Sequence, residues 1–320
     1  MTDDEPRAPE GAEEVEEPLT DEQREAEEAL ARLEDRSGAF TPYTMAADFL
    51  ELREIFSGGF ERMKEEDWAR RTDRRQGGWT MRQALAHVDA VANTYNAAVA
   101  AGVEGFPVEI PGLERREELA AANAAAVEAR AEVSVAELCT SFLGALEEGA
   151  RLAAPLQAEH LGRRAVVPFF SSAPTVAELL GSSLAHAGII HGAQLAVSRS
   201  RPIWIFFQPG MMRRQLTRLF HTLGLAYWPE RAGDLHATFA FHVEGQGGGS
   251  WMVRATPRGA SGKIGIPRTA DVTYRFASAD LLCRVFTYQT QPWRLLLTRQ
   301  LRVSGNLGLA RRMPTLFAPT

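Results

Sequence analysis

The sequence predicts a multi-domain chain: an all-α four-helix bundle over residues 39–200, then a small α+β domain with an antiparallel sheet over residues 201–320. Three observations carry that reading. Long segments with apolar residues at three- and four-residue steps, joined by short links, fill the first part. Beyond Ser200 the period shortens to two, in runs separated by Gly- or Pro-containing turns. Residues 1–38 stand apart as an acidic tail with almost no large apolar side chains, a composition that cannot offset chain entropy by burial.

The first helix is marked by Phe49, Leu52, Ile55, Phe56, Phe60 and Met63, which share one face. A turn at Gln76-Gly77-Gly78 leads through Trp79 to Thr80, the N-cap of a helix running from Met81 to about residue 101. An Ala-rich helix follows over Leu113 to Ala131. Ser134 and Glu137 form a capping box before Val135, Leu138, Phe142 and Leu146. Residues 164–174 read as strand-like. Thr175 with Glu178 then opens a last helix expected to reach about Val197.

In the second part, residues 201–207 read as a linker or strand and Met212 to Leu223 as an amphipathic helix. Strands are expected at 237–243, 250–254, 262–266, 270–276 and 301–303. A helix is expected from Ser278 to about Thr287, and a terminal one ending at Phe317. Trp251, Phe276, Phe286 and Trp293 either line an apolar pocket or form the core beneath one sheet face.

Composition narrows the function classes. Of the 41 acidic and 35 basic residues, 15 acidic and 4 basic fall between Thr2 and Arg36, leaving 31 basic against 26 acidic in the body. That mild positive balance suits an anionic small molecule. A basic stripe with interleaved aromatics, as nucleic acid would require, is not apparent. No apolar run is long enough to span a membrane and the N-terminus lacks a secretory signal, so a cytoplasmic protein with no membrane partner is expected. Cys139 and Cys283 are far apart and read as reduced packing residues. Nothing in the sequence defines the oligomeric state.

Three histidines carry the chemistry. His87 lies on the helix after Gly78-Trp79-Thr80, and His186 and His191 lie on the last helix of the bundle. Inward histidines from separate bundle helices are an established way to build a metal site.

Gly78-Trp79-Thr80 with His87, followed by His191-Gly192-Ala193-Gln194-Leu195-Ala196, resembles the DinB-like superfamily, and within it the mycothiol-dependent maleylpyruvate isomerases of actinobacteria. Gly247 to Trp251, Thr269 to Val272 and Leu301 to Ala310 resemble the sterol-carrier-like domain often fused to such bundles. The resemblance implies a divalent metal, zinc above all, held by a histidine after the Gly-Trp-Thr turn and by a helical pair spaced i, i+4. His87 and His191 match two of those places. Ala187 occupies the third and cannot bind metal; His186 lies one residue further back.

On a regular helix, positions five apart point about 140° apart, against about 40° for positions four apart. A π-bulge near Gly188 would bring His186 and His191 together. Otherwise His87 and His191 are hydrogen-bonded remnants in the bundle core. The resemblance further implies mycothiol as the thiol: it adds to a conjugated cis double bond, the new single bond rotates, and elimination gives the trans product. Arg82 is the candidate to hold a substrate carboxylate. Gln194, where the isomerases tend to carry Asp, is the second candidate catalytic residue. The expected function is a metal- and thiol-dependent isomerase or transferase acting on a small electrophile. The alternative is a metal-free binder of an apolar small molecule, or a repurposed biosynthetic enzyme on the same scaffold.

Overall fold

Capping chemistry sets where the helices of the first part begin. The computed structural model describes residues 38–72, 78–110, 112–198 and 200–317. The acidic tail up to residue 37, and Gln76 and Gly77 of the expected turn, lie outside the described residues. Helix α1 (Pro42–Phe60) starts after Thr41, whose hydroxyl accepts the N–H of Thr44, with Pro42 at a position that needs no donor. Helix α2 (Met81–Glu104) has Thr80 and Gln83 as a reciprocal capping box and ends on Gly105 in the left-handed conformation.

The Ala-rich segment gives a shorter helix than expected, α3 (Leu119–Glu128), after a 3-10 turn at Arg116–Glu118. Alanine supplies helix propensity there, but Val127 is the one side chain of α3 that is buried, so little packing extends it. The Ser134–Glu137 box opens α4 (Val135–Ala153) and the Thr175–Glu178 box opens α5 (Val176–Ala185). The last helix does not run on to Val197: regular α geometry stops at Ala185. Residues 164–174 are irregular rather than a strand, with one isolated bridge between Arg164 and Thr175; Pro168 and Pro174 interrupt any ladder.

α1 packs on α4, α4 on α2, α2 on α5, and α5 returns to α1. Phe49, Leu52 and Phe56 of α1 meet Leu138, Phe142 and Leu146 of α4 in a continuous core. Phe56 and Phe142 lie edge-to-face with centroids 5.0 Å apart.

The C-terminal domain follows a 3-10 turn at Ile203–Phe206, where a linker or strand was expected. Besides a four-residue helix at Pro229–Ala232, it consists of α6 (Pro209–Leu225), β1 (Ala237–Val243), β2 (Gly249–Thr256), β3 (Gly259–Ile264), β4 (Val272–Phe276), α7 (Ala279–Phe286), α8 (Pro292–Leu297), β5 (Leu301–Gly305) and α9 (Leu307–Phe317). The sheet order is β3-β2-β1-β4-β5. This sheet is mixed rather than antiparallel throughout, because β1 and β4 pair in parallel, Phe239 opposite Val272 and Val243 opposite Phe276. Residues 265–271 carry the chain from edge strand β3 across to the far side of β1, which inverts the polarity that a simple meander would give.

Inward-facing Phe239, Phe241, Trp251, Val253 and Tyr274 form the core under α6. Trp251 and Phe276 are therefore core. The Trp251 ring stacks on Phe220 at 5.3 Å, and its indole N–H donates to Thr217 Oγ1 at 3.0 Å. Phe286 joins this cluster, 6.1 Å from Phe220, whereas Trp293 lies outside it, 55% exposed. α6 passes so close to β3 that a Cβ at Gly262 would collide with the Phe220 carbonyl.

α6 also joins the two parts, packing on α5 as well as on β3 and β2. Asp48 of α1 is fully buried and accepts from Arg218 Nη1 at 2.6 Å and Arg214 Nε at 2.8 Å, both on α6. A further contact joins Arg214 Nη2 to Asp48 Oδ1. Arg218, itself fully buried, donates Nε–H to the Ala39 carbonyl at 2.8 Å. A lone buried charge is strongly unfavourable, so each group here makes the others tolerable. Asp48→Asn should lower stability by about 3–5 kcal/mol, the typical effect of breaking a buried ion pair from one side. The combined replacement of Asp48 and Arg218 by apolar residues of similar volume should lose less, as read from urea denaturation midpoints.

Candidate metal centre

His87 follows its cap by seven positions on α2, one turn after the buried Ala84, and is itself 5% exposed. The Trp79 ring lies 4.8 Å from it. Opposite, α5 passes at His186–Ile190 into a π turn. The N–H of His191 reaches back five residues to the His186 carbonyl at 3.0 Å. That one extra residue brings the two histidines, which a regular helix would hold about 140° apart, to the same side. Their Nε2 atoms are 3.1 Å apart. His87 lies 4.9 Å from His191 and 5.3 Å from His186 between ring centroids, and the ligand nitrogens of all three lie within 4.8 Å of one another.

The π turn has a local cause. A Cβ at Gly192 would sit 2.3 Å from the Gly188 carbonyl oxygen, a distance no side chain tolerates. Gly192 lets the chain leave the helix, and its own carbonyl accepts the Ile203 N–H at 3.0 Å as the chain doubles back. His191 Nδ1 is 2.5 Å from Gln194 Oε1, so with the amide oriented this way the ring carries its proton on Nδ1 and turns the Nε2 lone pair toward His186 and His87. His87 Nδ1 is buried and has no hydrogen-bond partner among the described residues.

Burial, with a smaller repulsion from His191, holds the His87 imidazole well below its usual pKa. His186 is depressed in the same way, by burial and then by His191 and His87. His191 is pushed down to about 4 by burial, partly opposed by Gln194. His186 and His191 can share one proton across that 3.1 Å contact, and without it three neutral imidazoles this close are the donor set a borderline-soft divalent cation takes. The His186–His191 separation is close to the roughly 3.3 Å between two nitrogens bound to one tetrahedral zinc. The three imidazoles therefore fit a divalent metal of the kind the resemblance implies.

Gln194 meets the imidazole cluster at His191 Nδ1. Arg82 is placed elsewhere: its Nη2 donates to the Arg130, Ala131 and Val133 carbonyls at 2.9, 2.5 and 2.6 Å, closing the turn between α3 and α4. All three bonds come from Nη2 and hold the Arg82 guanidinium at that turn. Tyr95 was legible only as an apolar-face residue of α2. Its ring lies 6.3 Å from His186 and 5.4 Å from Phe169, and burial pushes its hydroxyl pKa up, so it stays protonated. Phe169 and Phe170 belong to the irregular segment before α5, where the strand reading hid their role as a wall beside the site.

The fold and this cluster define the class: a helical domain with a histidine-lined centre, followed by an SCP2 domain. Residues 225–318 match the model of the SCP-2 sterol transfer family. Among solved structures, a histidine-to-alanine mutant of a mycothiol-dependent maleylpyruvate isomerase is similar at 10% identity and TM-score 0.53, covering 82% of this chain and 92% of that one. A second structure of such an isomerase gives 12% identity and TM-score 0.49 over the same shares. Sterol carrier protein 2 from Yarrowia lipolytica gives 17% identity and TM-score 0.23, covering 31% of this chain and 79% of that one. The first likeness shows a shared fold spanning both parts of the chain. No curated protein matches the sequence.

Gly192→Ala should straighten or break the π turn. Loss of about 2 kcal/mol is expected from that backbone collision, with a matching fall in melting temperature, while Gly58→Ala, which meets open space within α1, is the control and should hold or raise stability by up to about 1 kcal/mol.

Proposed function

We propose that His87, His186 and His191 hold a divalent metal, zinc by preference, and that the protein is a metal- and thiol-dependent isomerase or transferase acting on a small electrophile. The observation that carries this reading is the convergence of three neutral imidazoles, two of them made neighbours by a π turn. The four mutually packed helices serve as the DinB-like bundle of the proposal, with residues 39–200 and 201–320 as its two units.

The protein's own residues account for most of the arrangement. Gln194 fixes the His191 tautomer, and hydrogen-bonded partners of this kind orient metal-binding imidazoles. Trp79 packs against His87, and Tyr95 with Phe169 forms an aromatic wall beside His186 that limits water. Bound there, a divalent metal supplies Lewis acidity that keeps a thiol deprotonated near neutral pH and polarises a carbonyl.

The thiol must come from outside the chain. Cys283 is buried and its pKa is pushed up, and burial pushes Cys139 up to about 11, so neither supplies thiolate at neutral pH. Mycothiol is the thiol the fold likeness favours, and two free cysteines suit the cytoplasmic placement that belongs to this proposal.

Purified protein should carry about one zinc per chain, and His87→Ala or His191→Ala should abolish it in elemental analysis while the fold persists by circular dichroism. Gln194→Leu should weaken zinc binding by about 10- to 100-fold in chelator competition. Protein prepared with added zinc that holds none would overturn the reading. That outcome would favour a metal-free binder of an apolar small molecule, which the SCP-2 sterol transfer match over 225–318 supports.

A further inference from the structure

We infer that the chain's own acidic segment, residues 1–37, docks on the outward face of the C-terminal sheet and covers the positive charge there. The inference does not rest on the imidazole centre.

Strand register places the charges on one face. Arg254 of β2, Lys263 of β3, Arg275 of β4 and Arg302 of β5 are exposed, each between residues that point to the other side. Arg275 stands opposite Arg302 and also opposite His242 of β1, which faces Ser250 of β2. Arg254 lies four residues after Ser250 and opposite Ser261, two before Lys263. With a period of two, the four cations therefore share a side. α6, α7 and α9 cover the opposite side, where Phe220 and Phe286 meet Phe241, and Phe317 meets Phe239.

The face calls for an anion. None of the five strands contains an aspartate or glutamate. None of the four cations has a carboxylate partner among the described residues. Arg275 and Arg302 are directly opposed, and facing like charges weaken a ladder. Carboxylates laid along the face would offset that repulsion. Thr238, Thr273, Ser250 and Ser304 lie between the cations, whereas every Phe, Tyr and Trp of the strands is buried on the other side. Nucleic acid would find no aromatic platform there for its bases.

The chain carries a matching polyanion. Between Thr2 and Arg36 lie 15 acidic side chains against 4 basic ones. The described chain begins beside α6, where Arg218 Nε–H donates to the Ala39 carbonyl and Phe40 lies edge-on to His221. The same stretch of α6 passes over Gly262 of β3, the strand at the sheet's edge, and the next residue, Lys263, belongs to the outward face. Residues 1–37 span at most about 130 Å when fully extended, ample to round that edge. A tethered partner acts at an effective concentration of roughly millimolar order. An external acidic partner thus reaches this face only by displacing the chain's own segment.

The test exploits the sequence, in which Lys64 and Lys263 are the only lysines, both exposed. Carbodiimide coupling of the full chain at low salt joins carboxylates to lysine amines in contact with them, and mass spectrometry reads the joined peptides. Peptides from residues 1–37 should couple to Lys263 at least about fivefold more than to Lys64, and about 0.5 M salt should remove the excess. Arg254→Gln, Arg275→Gln and Arg302→Gln combined should lower coupling to the retained Lys263 by about fivefold, with circular dichroism unchanged. In a mixture of ordinary and nitrogen-15-labelled chains, each joined pair should carry a single label. Pairs of mixed label would put a second copy's segment on the face and overturn the proposal. So would equal coupling to the two lysines, or coupling to Lys263 that the combined arginine variant leaves unchanged.

Discussion

A single backbone hydrogen bond, from the His191 N–H to the His186 carbonyl, governs what the helical domain can do. Spanning five residues instead of four, it gives the helix an extra residue in one turn and rotates His186 into the company of His191 and His87. Everything nearby serves that irregularity. Gly192 has a Cα position no side chain can occupy, Gly188 sits tightly against Gln215 and Leu52, and the chain ends its helix there rather than at Val197. Restoring regular winding would leave the imidazoles as separate core residues and the histidine cluster would cease to exist.

The π turn in turn depends on the packing behind it. α5 and its continuation lie against α6, and α6 is fastened to α1 by the Asp48–Arg214–Arg218 cluster. Gln215, next to Arg214 and one turn before Arg218, is buried against Gly188. The C-terminal domain thus supplies the backing of the histidine centre through its first helix. A buried ion cluster suits this task because its geometry is exacting. An apolar contact tolerates sliding, whereas one carboxylate shared between two guanidinium groups holds a single register.

Much of the architecture was legible in the sequence because capping boxes and apolar spacing are local. Thr80 as an N-cap, and the Ser134–Glu137 and Thr175–Glu178 boxes, each open a helix where the residues indicated. Strand β1 matches its alternating run from Ala237 to Val243. What was hidden depends on partners far away in sequence. The parallel pairing of β1 with β4 follows from where a crossover lands, which alternation cannot encode. Phe169 and Phe170 read as strand because two aromatics flanked by turn residues look alike in either setting. At the centre, the spacing of His186 and His191 required a π turn if they were to meet, and Gly188 marked its place. The Arg82 contact was hidden for a different reason: a guanidinium on that helix is equally able to cap a neighbouring turn, and its Nη2 bonds three carbonyls there.

The crossover in the sheet carries a consequence for how the chain matures. β1 lies in the middle of the sheet, with β2 close behind it in sequence but β4 arriving only after β3 and the crossing segment. During synthesis, then, one flank of β1 stays an open template of unpaired amides and carbonyls until β4 (Val272–Phe276) has emerged. A nascent or prematurely terminated chain would present that flank to its neighbours, and the interval before β4 arrives is when this protein is most exposed to mispairing.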